Sequence, residues 1–108
     1  MNGIGAKKNK PRSWADARAK VDEEGECRVC GSHSGLQAAH IIPRSLGGRQ
    51  HRDSIVPLCE RDHRSYDNFR LDILPYLTHD EQAEAVRVMG LERARRRLAP
   101  SAYVGAAA

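Results

Sequence analysis

The stretch Ile55-Val56-Pro57-Leu58-Cys59-Glu60-Arg61-Asp62-His63-Arg64-Ser65-Tyr66-Asp67 passes from an apolar extended run to a polar, helix-compatible one. The run Ile55–Leu58 reads as a short strand, and Pro57, which has no N–H to donate, places it at an edge or an end. From Cys59 to about Phe69 the pattern suits a helix with Tyr66 and Phe69 as inward residues. Cys59 stands at the start of that helix, where the dipole favours a thiolate. His63 and Asp67 are four residues apart and share one helix face, so an imidazole and a carboxylate can hold one divalent ion there. Such an ion stabilises a departing 3′ oxygen while a nearby neutral imidazole deprotonates an attacking water.

Upstream, Cys27-Arg28-Val29-Cys30-Gly31 is a C-x2-C-G turn whose two thiolates can converge on one ion, with the glycine supplying the tight bend. Cys59 offers a third thiolate. A structural zinc site takes four ligands, and the nearby candidates for the fourth are Asp62 and His63. Between these cysteines, Leu36-Gln37-Ala38-Ala39-His40-Ile41-Ile42 reads as a strand ended by Pro43 and the turn at Gly47-Gly48. His40 lies at the end of that strand, just before a loop.

The chain has 108 residues, enough for one domain, and only 5% of them are aromatic. A thin core of this kind needs a staple, such as disulfides or a structural metal. Three cysteines cannot pair completely, which argues against a disulfide framework. Nothing resembles a signal peptide or a membrane span, so a cytoplasmic setting with reduced thiols is expected, where clustered cysteines more often hold metal. The net charge of +4 is concentrated at Lys7, Lys8, Lys10 and Arg12 and again at Arg93, Arg95, Arg96 and Arg97. Basic ends around a balanced middle suggest a polyanionic partner.

Residues 1–12 read as a flexible basic arm, residues 13–98 as the folded domain and residues 99–108 as a loose tail. Ser13 can cap a first helix carrying Trp14, Ala17 and Val21, which stops near Gly25. Leu71, Ile73, Leu74 and Leu77 form an apolar patch. Thr78-His79-Asp80-Glu81 is a capping box opening a helix with Ala83, Val86 and Met89, closed by Gly90. Leu91–Leu98 makes a last short helix. Met89 and Tyr76 are expected in the core, and His33, His51 and His79 in solvent.

The run Cys27-x2-Cys30, Ala39-His40-Ile41-Ile42-Pro43-Arg44-Ser45-Leu46-Gly47-Gly48, Asp53-Ser54-Ile55-Val56-Pro57-Leu58-Cys59 and His63 resembles the HNH endonucleases of the ββα-metal (His-Me finger) class. The likeness covers about residues 25–70. Leu71–Leu77 and the helix after Thr78 look like the C-terminal half of HNH proteins of actinobacterial phages. The resemblance implies an α+β fold, a small zinc-stabilised ββα-metal domain with flanking helices, and metal-dependent hydrolysis of DNA that leaves a 5′-phosphate and a 3′-hydroxyl. It implies His40 as general base, His63 as ligand of a catalytic Mg²⁺ or similar ion, Asp67 as a further metal or phosphate contact, and Cys27, Cys30 and Cys59 as structural zinc ligands. Ala39 stands where many members carry an Asp or His metal ligand. Ser54 stands at the family's middle Asn, which positions the general base, and Asp62 where a fourth zinc cysteine is usual; a carboxylate is an acceptable zinc ligand.

Arg44, Arg49 and Arg52, in the loop between the motif halves, are candidate phosphate contacts. DNA is the expected partner, with low sequence specificity because no base-reading module is evident. The phage likeness adds genome packaging beside a terminase. Two rival readings are a zinc-stabilised DNA-binding module without catalysis and an interaction protein that docks on terminase or other machinery through its C-terminal helices.

Overall fold

The computed structural model describes residues 14–48 and 51–102. The basic arm, Ser13, Arg49 and the end of the tail beyond residue 102 lie outside the described residues. Helix α1 spans Trp14–Glu24, strand β1 Leu36–His40, strand β2 Ile55–Cys59, helix α2 Glu60–Asp67, helix α3 His79–Met89 and helix α4 Leu91–Leu98. The two strands form an antiparallel sheet in which Leu36 faces Cys59 and His40 faces Ile55. This is the expected α+β arrangement of a hairpin followed by a helix, with helices on either side. Among the described residues no helix is long and apolar enough to cross a membrane.

Alternation along the hairpin gives it two buried faces. Ala39, Val56 and Leu58 join Tyr66, Ile73, Leu77, Ala85, Met89 and Leu98 in the larger core. Ala38 and Ile55 pack against Ala17 and Val21 of α1. β1 ends at His40, two residues earlier than the apolar pattern suggests, because the chain turns there toward the Arg44–Leu46 3₁₀ turn. At Gly48 this loop returns onto the strand end: its N–H bonds the Pro43 carbonyl at 3.0 Å, and a β-carbon on Gly48 would lie 1.8 Å from the Ile42 oxygen. No side chain fits there.

Three expectations are corrected. Phe69 is 61% exposed, not inward: α2 closes at Asp67, and Phe69 takes a left-handed φ of 58° that turns it out of the core. Tyr76 is 40% exposed, because the turn Leu74–Tyr76 carries it to the surface while Ile73 and Leu77 point inward. On α3 the buried positions are Glu81, Ala85 and Met89, whereas Ala83 and Val86 face outward. The face is set by Glu81, which closes the capping box with Thr78 and also takes Lys20 at 2.6 Å and Arg28 at 2.8 Å. Burial would raise the Glu81 pKa, but the bonds from Arg28 and Lys20 outweigh it and hold the group down at about 2. Within the basic run of α4, Arg97 is buried, at 8% exposure.

Lys20 also donates to the Ile55 carbonyl at 2.6 Å and to the Arg52 carbonyl, so one buried ammonium joins α1, the start of β2 and α3. Ser101 bonds Asp72 through its backbone N–H at 3.0 Å and through its hydroxyl, pinning the chain just after α4.

Candidate metal centre and active site

Cys27–Gly31 is held as a turn by the Gly31 N–H on the Cys27 carbonyl at 2.9 Å, with Gly31 at φ 78°. The Arg28 N–H donates to the Pro57 carbonyl at 3.0 Å and fixes the knuckle against β2. Cys59, at the junction of β2 and α2, caps the helix, its sulfur accepting from the Asp62 N–H at 3.5 Å. The ligand atoms of Cys27, Cys30, Cys59 and Asp62 all lie within 4.8 Å of one another. Sulfur to sulfur, Cys30 and Cys59 are 3.7 Å apart, and the Asp62 Oδ2 lies 3.3 Å from the Cys27 sulfur and 3.4 Å from that of Cys59. A tetrahedron with zinc–sulfur bonds of about 2.3 Å and zinc–oxygen bonds of about 2.0 Å has edges of roughly 3.8 Å and 3.5 Å.

The donor set is therefore consistent with a structural zinc, and it is Asp62, not His63, that lies among the three cysteines. The electrostatics agree. The Asp62 N–H lowers the Cys59 pKa, yet burial and the neighbouring Asp62, Cys30 and Cys27 raise it to about 11. Thiols crowded against a carboxylate resist ionising until a cation joins them.

His63 points away from this cluster. Its Nδ1 lies 2.6 Å from the Gln37 Oε1, and its Nε2 lies 3.5 Å from the Asp67 Oδ2. With Nδ1–H donating to Gln37, the Nε2 lone pair faces the carboxylate. Two acceptors then confront each other, an arrangement that a shared cation relieves. Two donors 3.5 Å apart can both reach an ion at about 2.1 Å. Asp67 is also approached by the Arg97 Nη2 at 3.7 Å.

His40 is half-buried at the end of β1, and its Nε2 is shielded and has no hydrogen-bond partner. Burial lowers its pKa below 6.5, helped by the charges of Arg44 and His63 and opposed by Asp67. The imidazole is thus kept neutral beside His63 and Asp67. Its neighbour Ile41 is pinned on both sides: the N–H donates to the Ser54 carbonyl at 2.8 Å, and the carbonyl accepts from the buried Tyr66 hydroxyl. The tie from Ser54 is made by the main chain, so it does not depend on an asparagine side chain. Ala39 is fully buried in the core and offers no ligand.

Of the candidate phosphate contacts, Arg44 is exposed on the turn after His40. The guanidinium of Arg52 is held by Glu23 at 2.7 Å. Reading the sequence alone missed Gln37, the Tyr66 hydroxyl and Arg97 as parts of the site. No periodic or spacing signal links Gln37 to a histidine 26 residues later.

Residues 27–70 match the family model described as HNH endonuclease. The matched segment runs from the first knuckle cysteine through both strands and α2, so it contains both clusters of side chains. No curated protein and no solved structure matches the chain.

Proposed function

We propose that this protein is a metal-dependent endonuclease that hydrolyses DNA phosphodiester bonds, with His40 as the general base. The observation that carries the reading is the pairing of a shielded, neutral His40 with a His63–Asp67 donor pair, within a segment that matches HNH endonucleases. A base with lowered pKa is ready to accept the proton of an attacking water at neutral pH. Gln37 fixes the His63 ring and leaves Nε2 as the ligand atom, as partners of metal-binding histidines do. His63 and Asp67 would hold a divalent ion such as Mg²⁺, which supplies stabilisation of the charge developing on the leaving 3′ oxygen.

Ser54 acts as a positioning residue through its carbonyl, and Asp67 is steadied by Arg97. Arg44, on the turn after the base, would contact a phosphate of the bound strand, a role also proposed for Arg49 from its sequence position. Arg52 joins them only by leaving Glu23. Cys27, Cys30, Cys59 and Asp62 would hold the structural zinc. A role in phage genome packaging beside a terminase rests solely on the likeness of Leu71–Leu98 to phage proteins. The buried Ala39 gives the non-catalytic DNA-binding reading its one specific support.

The test is nicking of supercoiled plasmid by the zinc-loaded protein with Mg²⁺, Mn²⁺ or Ni²⁺ added. Metal-dependent nicking is expected, and His40→Ala should lower its rate by about 10²- to 10⁴-fold. DNA binding without nicking by any metal would replace the nuclease with the binding module.

A further inference from the structure

A cleft of about 470 Å³ opens beside Asp67, between the loop after His40 and α4. Leu46 lines it on one side, Asp67 and Phe69 at the end of α2, and Arg93, Arg96 and Arg97 on the other. Its volume lies in the range that encloses a small-molecule-sized group. Phe69 breaks two rules at once, being a large apolar residue that is 61% exposed and a non-glycine held at φ 58°. Such exceptions gather at functional sites.

Arg97 explains half of the Phe69 environment. Its guanidinium lies 3.9 Å from the Tyr66 ring centroid and 4.6 Å from that of Phe69. Its Nη1 donates to the Tyr66 carbonyl at 2.9 Å, while its shielded Nε has no partner in the protein. The cation is therefore fixed in place against both rings, and the rest of the Phe69 ring is open to the cleft. An exposed aromatic face among arginines is the combination that receives a nucleobase and its phosphates. A base inside a duplex cannot lie on such a face, because its own faces are taken by its neighbours.

We propose that this cleft binds one unpaired nucleotide of the DNA strand next to the cutting site, its base stacked on Phe69 and its phosphate met by Arg93. The protein would then prefer DNA with a gap, flap or frayed segment over an intact duplex. The proposal rests on the nuclease reading only for the identity of the polymer. Asp67 lines both the cleft and the donor pair, so a nucleotide held here is contiguous with the proposed catalytic centre.

Binding of a labelled duplex carrying a short single-stranded gap is compared with that of the same duplex fully paired. Zinc-loaded protein is used without added divalent ion, so that no cleavage intervenes. The native protein should favour the gapped DNA, and Phe69→Ala should weaken that binding roughly five- to a hundredfold while leaving the paired duplex unaffected. Phe69→Trp should retain the preference and Phe69→Leu should lose it, with zinc content confirming that each variant is folded. A 2-aminopurine base in the gap should be quenched by the native protein and not by Phe69→Ala. Equal binding of both DNAs, or equal weakening of both by Phe69→Ala, overturns the stacking site and leaves a phosphate groove. A gap preference that depends on Phe69 in a protein that never cuts would sustain this site while sinking the nuclease. Nicking that is indifferent to Phe69 with no gap preference would do the reverse.

Discussion

Helix α2 carries two sets of potential metal ligands, and they differ in almost every physical respect. At its start, Cys59 and Asp62 meet Cys27 and Cys30 in a closed group of four donors, with Cys27 and Asp62 buried. One turn on, His63 and Asp67 present only two donors, and the Asp67 side chain is 59% exposed. Four converging donors leave no position for a substrate, whereas two leave several. On the proposed reading, the contrast would separate an ion that holds a fold together from one that takes part in a reaction. One short helix and its capping Cys59 could then serve both tasks without competition: Asp62 and His63 are adjacent in sequence and diverge around the helix.

The largest expected effect breaks the closed side. Stripping zinc with a strong chelator, or replacing Cys27 by Ser, should unfold the domain, since structural zinc in small domains contributes about 10–16 kcal/mol of apparent binding energy that is also folding energy. Circular dichroism would show loss of helix on chelation and its return with zinc. A protein that keeps its helices and melting temperature without zinc would show that the two cores suffice. On the open side the same chelator, followed by zinc alone, should restore structure without Mg²⁺-dependent nicking.

A smaller effect tests how the open pair is aimed. Gln37→Ala removes the acceptor that fixes the His63 ring and should lower nicking or catalytic metal affinity by about 10- to 100-fold with the fold intact. Gln37→Glu should retain most of both, because a carboxylate accepts from Nδ1–H equally well. If Gln37→Ala is indistinguishable from the native protein, the ring is held by something else.

The smallest effect is in pH. Burial, Arg44 and His63 depress the His40 pKa below 6.5, so the base stays neutral further into acid than an ordinary histidine. The acid limb of kcat/KM should accordingly fall with an inflection below pH 6.5, and Arg44→Gln should shift it upward by removing one of the depressing charges. An inflection above 6.5 would mean that the Asp67 carboxylate, not burial and Arg44, dominates around His40.

Much of this contrast was legible in the sequence because its signals are local. The C-x2-C-G knuckle, the strand ending at a histidine, the four-residue spacing of His63 and Asp67 and the Thr78–Glu81 capping box are each contained within a few residues. What escaped is long-range. Gln37 reaches His63 across the hairpin, Lys20 reaches Glu81 from α1 to α3, and Arg97 returns from α4 to Tyr66 and Asp67. These are polar or charged residues whose composition suggests solvent; packing buries Lys20, Glu81 and Arg97, while Gln37 stays exposed and meets His63 at the surface of the hairpin. Phe69 is the converse, an aromatic that pattern assigns to the core and backbone geometry turns outward. The fourth donor was open between Asp62 and His63 because both follow Cys59 within one helical turn; the structure places the Asp62 carboxylate against the cysteine sulfurs.

The most direct measurement pairs metal content with cleavage in two variants of the same helix and knuckle, His63→Ala and Cys30→Ser. Each is purified with zinc, its bound zinc measured by native mass spectrometry, and its nicking of plasmid followed with Mg²⁺. The account predicts that His63→Ala retains one zinc per chain and a native circular dichroism spectrum but loses nicking. Cys30→Ser should lose zinc and structure together. Loss of the zinc in His63→Ala, or nicking that persists without His63, would contradict the division of α2 into a folding site and a working site.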